Sequence, residues 1–270
     1  MNNQLYNDYG TWIRTVFPYR VQKISVDAGF SCPNRDGSIG SGGCTFCDNN
    51  TFNPPYCNPA HTIAAQLEAG KAFFARKYPE MRYLAYFQAY TNTYAQPLER
   101  LKRMYDEALS VDGVVGLVIG TRPDCVTGSL PDYKAQWAVA ETAERGITTG
   151  AHVILGLPGE GREESLRQAP IVSSLDIDVL KIHQLQIIKG TKMAEEYARK
   201  PFHTYSAEEY IELIASYLQR IRADLVVERF TSQSPQGMVI APKWGLKNHE
   251  FANLLVNYMR KNGIRQGQLA

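Results

Sequence analysis

The sequence predicts an α/β protein built of βα units with parallel strands, and three observations carry that prediction. Short apolar runs alternate with longer stretches in which apolar side chains recur every three to four residues. The segments that follow the apolar runs are the polar, glycine-bearing ones: 27–47, 88–94, 120–124, 156–160 and 183–191. No low-complexity linker and no strong internal repeat divides the chain. In a parallel barrel or open βα sheet, reacting groups gather at the C-terminal strand ends, so the polar segments are expected around one mouth.

Taken in order, 21–29 reads as the first strand and 61–78 as a helix, with Ile63, Leu67, Phe73 and Phe74 as its apolar positions. Strand 83–88 follows. Pro97 opens a helix to 109, since proline suits a first helical turn, and Leu98, Leu101, Tyr105 and Leu109 share one side. Strand 114–119 leads to a helix over 130–145 stopped by Gly146, then to strand 151–155, which Gly156-Leu-Pro-Gly159 breaks. A helix over 162–174 contains Pro170, which is expected to bend or shorten it. Strand 179–188, helix 207–222, strand 225–230 and helix 248–261 complete the pattern. The expected division is an aromatic-rich N-terminal extension (1–20), a βα body (21–222) and a C-terminal strand-helix extension with a basic tail (223–270).

The loop after the first strand carries the chemistry. Cys32, Cys44 and Cys47 stand at C-x11-C-x2-C spacing, and three thiolates on one loop can hold three corners of a cubane iron-sulfur cluster while the fourth iron stays open. Gly37, Gly40, Gly42 and Gly43 lie between the first two cysteines, where tight turns need positive φ. Phe46 places a flat apolar ring beside the last cysteine, where a nucleobase could rest. The alternative is structural zinc with Cys57 or His61 as fourth ligand, although such sites usually pair two close-spaced knuckles and this chain has one. Cys125 reads as a small buried hydrophobe.

At 270 residues, 44% apolar and 21% charged, the chain suits one large domain with a substantial core. Residues 1–8 have neither a basic start nor an apolar h-region, and no apolar run is long enough to span a bilayer, so neither export nor membrane insertion is expected. Five cysteines, three of them crowded, fit reduced thiols used as ligands in the cytoplasm better than a disulfide scaffold. Net charge is only +2, but residues 231–270 set Lys243, Lys247, Arg260, Lys261 and Arg265 against Glu250 alone. Such a tail can steer a polyanion such as tRNA, or simply be the solvated face of a terminal helix.

Six segments carry a family resemblance: Phe30-Ser-Cys-Pro-Asn-Arg-Asp-Gly37, Gly42-Gly-Cys-Thr-Phe-Cys47, 85–94, Ile119-Gly-Thr-Arg-Pro-Asp-Cys125, His152-Val-Ile-Leu-Gly-Leu-Pro-Gly-Glu160 and Lys181-Ile-His-Gln-Leu185. The chain resembles the YhcC/YtqA-type bacterial proteins of the radical S-adenosylmethionine superfamily, a group similar to the radical domain of the elongator catalytic subunit. The resemblance implies a partial (βα)6 TIM-like barrel. It also implies that Cys32, Cys44 and Cys47 ligate a 4Fe-4S cluster whose open iron takes S-adenosylmethionine, cleaved reductively to a 5'-deoxyadenosyl radical, with an electron donor such as flavodoxin or ferredoxin as partner. By matching position, Phe46 would contact the adenine, Gln88 and Tyr90 would face the methionine end, and Thr121 with Arg122 would approach the ribose or carboxylate. Gly156 would let the backbone come close to the adenine. The same polar residues could instead satisfy neighbouring backbone. Tyr94, Asp124, His152, His183 and Lys189 are candidates to meet the substrate or pass protons, and elongator kinship makes a tRNA wobble uridine the expected substrate. A zinc-stabilised nucleic-acid-binding or adaptor protein is the competing reading.

The chain departs from the family in one place. Between 119–124 and 151–153 the family carries a further βα unit, whereas here Pro131-Asp-Tyr-Lys134 runs straight into Gln136-Trp-Ala. The fourth strand of the barrel is therefore expected to be missing, through residues that the chain as given omits or through a true deletion.

Overall fold

The structure, a computed structural model, describes residues 4–51, 53–75, 80–94, 96–125, 135–235 and 237–270. It divides into two compact units, 16–138 and 1–15 with 139–270.

The first unit is a three-stranded parallel sheet, β1 (Val21–Val26), β2 (Arg82–Phe87) and β3 (Val114–Ile119), in that order. β1 and β2 pair without a slip, from Val21 opposite Arg82 to Val26 opposite Phe87. Period-two alternation sends Ile24, Val26, Tyr83, Ala85 and Phe87 into a buried core with Ile63 and Leu67 of α2 (Ile63–Ala75) and Ala108 of α3 (Leu98–Ser110). α2 comes close to β1 because residue 70 is glycine: a Cβ there would stand 2.3 Å from Ile24 Cγ2. The opposite face carries Lys23, Ser25, Leu84 and Tyr86, with Ser25 Oγ donating to Oε1 of Gln88, just past β2, at 2.9 Å.

The second unit opens with residues 4–15, which bridge onto its last sheet strand through Asp8 and Val227 and carry α1 (Tyr9–Val16) up to its final residue. Its sheet is also parallel, in the order β4 (Gly150–Leu155), β5 (Val179–Gln184), β7 (Val226–Arg229). α4 (Ala135–Ala143) precedes β4 and α5 (Arg162–Ser173) follows it. The expected strand over 179–188 is corrected to two: β5 ends at Gln184, and β6 (Ile187–Ile188) pairs antiparallel with β8 (Val239–Ala241) in a separate ribbon. α6 (Lys192–Arg199) starts on Thr191, whose hydroxyl accepts from Ala194 N–H. Neither α1, α6 nor β8 had been expected. Pro170 lies inside α5 within its last turn, so it removes one terminal hydrogen bond and the helix carries through.

The core of this unit is larger and more aromatic. α7 (Ala207–Arg220), opened by a Ser206/Glu209 capping box, buries Tyr210, Leu213, Ile214, Tyr217 and Leu218 against Leu180, Ile182 and Val227. Phe251 of α8 (Asn248–Lys261) stacks on Trp244 at 5.7 Å, and Tyr210 joins both rings while donating to Phe230 O at 3.1 Å. Arg222 donates to the carbonyls of Ser173 (2.7 Å), Leu175 (3.0 Å) and Ile177, satisfying acceptors left over at the end of α5.

Candidate functional site

In the first unit, β1 hands over to the cysteine loop through a buried polar joint. Gln66 of α2 is buried and copies a strand neighbour: its Oε1 accepts from Asp27 N–H (2.8 Å) and its Nε2 donates to Asp27 O (2.9 Å). The Asp27 carboxylate accepts from Gly29 N–H at 2.9 Å, where φ is +68°. The loop then closes on itself. Arg35 N–H donates to Cys32 O (2.8 Å), Ile39 N–H to Pro33 O (2.9 Å), and Gly43 N–H to Asn34 O (2.8 Å), with Gly37, Gly42 and Gly43 at φ between +81° and +97°.

The loop after β2 braces it. Thr91 N–H donates to Ser31 O (3.2 Å), Ser38 Oγ and Tyr94 Oη share a 2.6 Å hydrogen bond, and the Arg35 guanidinium lies 5.0 Å from the centre of the Tyr90 ring. Tyr90 takes φ +60°, unusual for a bulky residue. Asn92, buried, donates from Nδ2 to the carbonyls of Phe87 (2.9 Å) and Gly120 (2.8 Å), tying together the ends of β2 and β3.

The Cys47 thiol lies within electrostatic reach of the other two. Burial chiefly raises the pKa of Cys47, nearby Cys44 and Cys32 raise it further, and Arg35 opposes them. Asn34 Nδ2 lies 3.1 Å from Cys44 Sγ and donates to it. Phe46, between the last two cysteines, is half-buried. Among the described residues, no three His, Cys, Asp or Glu side chains gather closely enough to hold one metal ion. A single ion draws all its ligands to one point, whereas a cubane cluster takes one thiolate per iron and so needs thiols set further apart. The donor chemistry fits such a cluster: three free, partly buried thiols on one loop, with a cation and an amide donor beside them.

Beyond β3, Thr121 Oγ1 meets Thr93 Oγ1 at 2.5 Å, and Arg122 holds Asp124 with two hydrogen bonds, 2.9 and 2.7 Å. The Arg122 bond keeps the Asp124 carboxyl below its usual range, and Asp124, with lesser help from Cys32 and Cys125, raises the guanidinium. Asp124 is thus occupied by its neighbour. Cys125 is half-buried, not buried as the sequence suggested, and its thiol is pushed up to about 11, mainly by burial. The first unit therefore brings together Cys32, Cys44, Cys47, Phe46, Gln88, Tyr90, Tyr94, Thr121, Arg122 and Asp124 around the C-terminal ends of β1–β3.

The other candidates belong to the second unit. Gly156, at φ +84° just past β4, faces the Tyr205 ring: a Cβ would come within 3.0 Å of it. His152 and His183 stand on adjacent strands with ring centroids 4.4 Å apart. Lys189 is exposed in the turn after β6.

Residues 177–261 match the model of the Radical_SAM C-terminal domain. Protein YtqA of Bacillus subtilis is 31% identical over 297 residues, covering 97% of this chain and 92% of its own. This chain belongs to the YhcC/YtqA-type family of the radical SAM superfamily. The YtqA alignment is longer than the 270 residues of this chain, so YtqA carries residues with no counterpart here. The structure of Methanocaldococcus infernus Elp3 with its N-terminus deleted superposes with a TM-score of 0.65 at 16% identity, over 92% of this chain and 64% of that one. Over a shorter stretch, 126 residues and 45% of this chain, the tRNA uridine(34) acetyltransferase of Methanocaldococcus jannaschii is 29% identical, with 23% of its own length covered. The superfamily usually binds a 4Fe-4S cluster and S-adenosylmethionine. Among the described residues, no helix is long and apolar enough to cross a membrane.

Asn34, Arg35, Gln66 and Asn92 were not singled out from the sequence. The signal for Asn34 and Arg35 was their place between two candidate ligands; Gln66 had none beyond being a polar residue on the apolar face of a predicted helix.

Proposed function

We propose that this chain is a radical S-adenosylmethionine enzyme in which Cys32, Cys44 and Cys47 ligate three irons of a 4Fe-4S cluster. The observation that carries the reading is a glycine-turned loop at the end of a parallel strand, holding three thiols within electrostatic reach of one another, in a chain of this family. When bound, the cluster supplies the electron that cleaves S-adenosylmethionine to methionine and a 5'-deoxyadenosyl radical. The protein's part is to bind and orient. Asn34 donates to one thiolate, Arg35 offsets the negative charge of the three, and Phe46 offers the adenine a flat apolar surface. Gln88, whose Oε1 is taken by Ser25, keeps its amide N–H groups for the methionine end together with Tyr90. Thr121 and Arg122 serve the ribose or carboxylate, with Arg122 exchanging one of its bonds to Asp124, and Gly156 serves the adenine.

The same reading extends to architecture, substrate and place of action. The βα units form a partial (βα)6 barrel without its fourth unit, which the surplus length of the YtqA alignment supports. A tRNA wobble uridine is the substrate, a flavodoxin or ferredoxin the electron source, and the cytoplasm the compartment. The tRNA assignment draws support from the likeness to a tRNA uridine(34) acetyltransferase and from five exposed basic side chains at the two ends of α8. Lys243 and Lys247 precede that helix and Arg260, Lys261 and Arg265 close it, about 20 Å apart along a fourteen-residue helix. That separation suits two contacts on a polyanion.

The test is anaerobic reconstitution with iron and sulfide, then dithionite and S-adenosylmethionine. About four irons with sulfide per chain and release of 5'-deoxyadenosine are expected; a colourless chain holding one zinc overturns the assignment. Nucleoside digests of tRNA from cells with and without the gene test the substrate, and identical modification profiles remove it.

A further inference from the structure

The sheet of the second unit has one face packed into the core and another that mixes apolar side chains with basic ones. Leu155, Leu180, Ile182 and Val227 turn into the core, so strand alternation turns their neighbours His152, Lys181 and His183 to the other side. In register, His152 lies opposite Lys181 and Lys181 opposite Arg229, so one rung across β4, β5 and β7 reads His-Lys-Arg. His183 stands two residues further along β5, with its ring 4.4 Å from that of His152. His183 Nδ1 lies 2.9 Å from Gln184 O. A carbonyl oxygen only accepts, so Nδ1 carries the hydrogen and, in the neutral ring, Nε2 is an acceptor; the donors this face offers an anion are therefore those of Lys181 and Arg229, with the imidazoles as neighbours.

We propose that this face of β4–β5–β7 is a binding site for an oxyanion, the carboxylate or phosphate group of the molecule acted on, within the enzyme proposed above. The reasons are geometric first. His152, Lys181 and Arg229 share one rung of adjacent strands with His183 beside it, and strands hold such groups more rigidly than loops do. Lys and Arg are the side chains that pair with carboxylates and phosphates, Arg through a bidentate fork.

The electrostatics agree. Burial first, then His183, Lys181 and Arg229, push the His152 imidazole below its usual range although it keeps solvent access; for half-buried His183, burial is opposed by the bond to Gln184 O and joined by Arg229 and Lys181, leaving it at about 4. Among the described residues, the charges that bear on the two rings are thus all cationic. Lys181, Glu228 and Arg229 make further interactions of their own, and Glu228 acts on Tyr9, whose hydroxyl is pushed up to about 12 chiefly by burial. A positive field over partly desolvated donors favours an anion.

The test follows the imidazole C–H signals of the full chain, without iron, during titration with inorganic phosphate or sodium acetate at constant ionic strength. Saturable shifts at His152 and His183 are expected, with phosphate the tighter probe if the group is a phosphate and acetate the tighter if it is a carboxylate. Lys181→Gln is expected to weaken binding about ten-fold, as loss of a charged hydrogen bond does. If that variant does not fold, Arg229→Gln makes the same comparison. Shifts that chloride reproduces, or binding unchanged in the folded variant, overturn the proposal. Since no iron is present, such a failure leaves the cysteine assignment standing; a chain that binds phosphate but never takes up a cluster removes the cysteine assignment alone.

Discussion

The two units present their polar groups in opposite ways. In the first, the thiols ride on a loop whose shape comes from glycines and main-chain hydrogen bonds, with Gln66, Asn92 and Tyr94 as pegs. In the second, the histidines sit on strands backed by a fully buried aromatic and aliphatic core. On the roles proposed above, the difference separates two tasks. Ligands to a bulky inorganic group need a backbone that can curl around it, whereas groups that recognise a substrate work best when nothing about them moves.

The sharpest way to break this contrast is within the first unit. Cys44→Ala is expected to abolish both cluster retention and 5'-deoxyadenosine production, while Cys57→Ala keeps both, because Cys57 is buried with its thiol pushed up to about 12 by burial. Iron analysis beside the product assay decides it; loss of iron in Cys57→Ala reassigns the ligands. Next in size is Gly70→Ala. A helix gains up to about 1 kcal/mol from alanine over glycine, but the new methyl would press on Ile24, a stiff β-branched side chain with no exposure, and overpacking costs about 1–3 kcal/mol. A lower urea midpoint is expected, and an unchanged or higher one contradicts the close approach of α2 to β1.

The smallest effect belongs to the second unit. A histidine whose folded-state pKa lies below its unfolded value of about 6.5 binds its proton mainly in the unfolded chain once the pH drops, so stability falls as pH decreases. With His183 held near 4, that loss runs between about pH 6.5 and 4, and His152 adds to it in the same direction. Urea midpoints across this window should decline less steeply in His183→Gln than in the parent chain. Equal slopes would place the imidazole in ordinary solvent.

Much of the framework was legible because burial writes a period into the sequence. The strands at 82–87, 114–119 and 150–155 lie within one or two residues of their expected limits, and α8 coincides with its pattern. The run over 179–188 misled because both of its strands are apolar; nothing local says that the chain leaves one sheet after Gln184 and enters another at Ile187. The expected start of the helix before β4, at 130–134, lies outside the described residues, and from Ala135 the helix is present. At the candidate site spacing and residue type alone single out the three cysteines as candidates, and the structure sets them on one loop at the end of β1. Gln66 and Asn92 were not legible, since each acts by hydrogen-bonding main-chain groups of residues that the fold, rather than the local sequence, brings beside it. Gly156 was expected to admit a ligand, and the structure adds a second cause, the Tyr205 ring against its α-carbon.

One consequence of the self-closing turns between Cys32 and Gly43 concerns the cysteine that follows them. Amides and carbonyls of that stretch bond to one another, so its curve is dictated by its own main chain, and exchanging a left-handed glycine such as Gly42 or Gly43 would displace the neighbouring Cys44 with it.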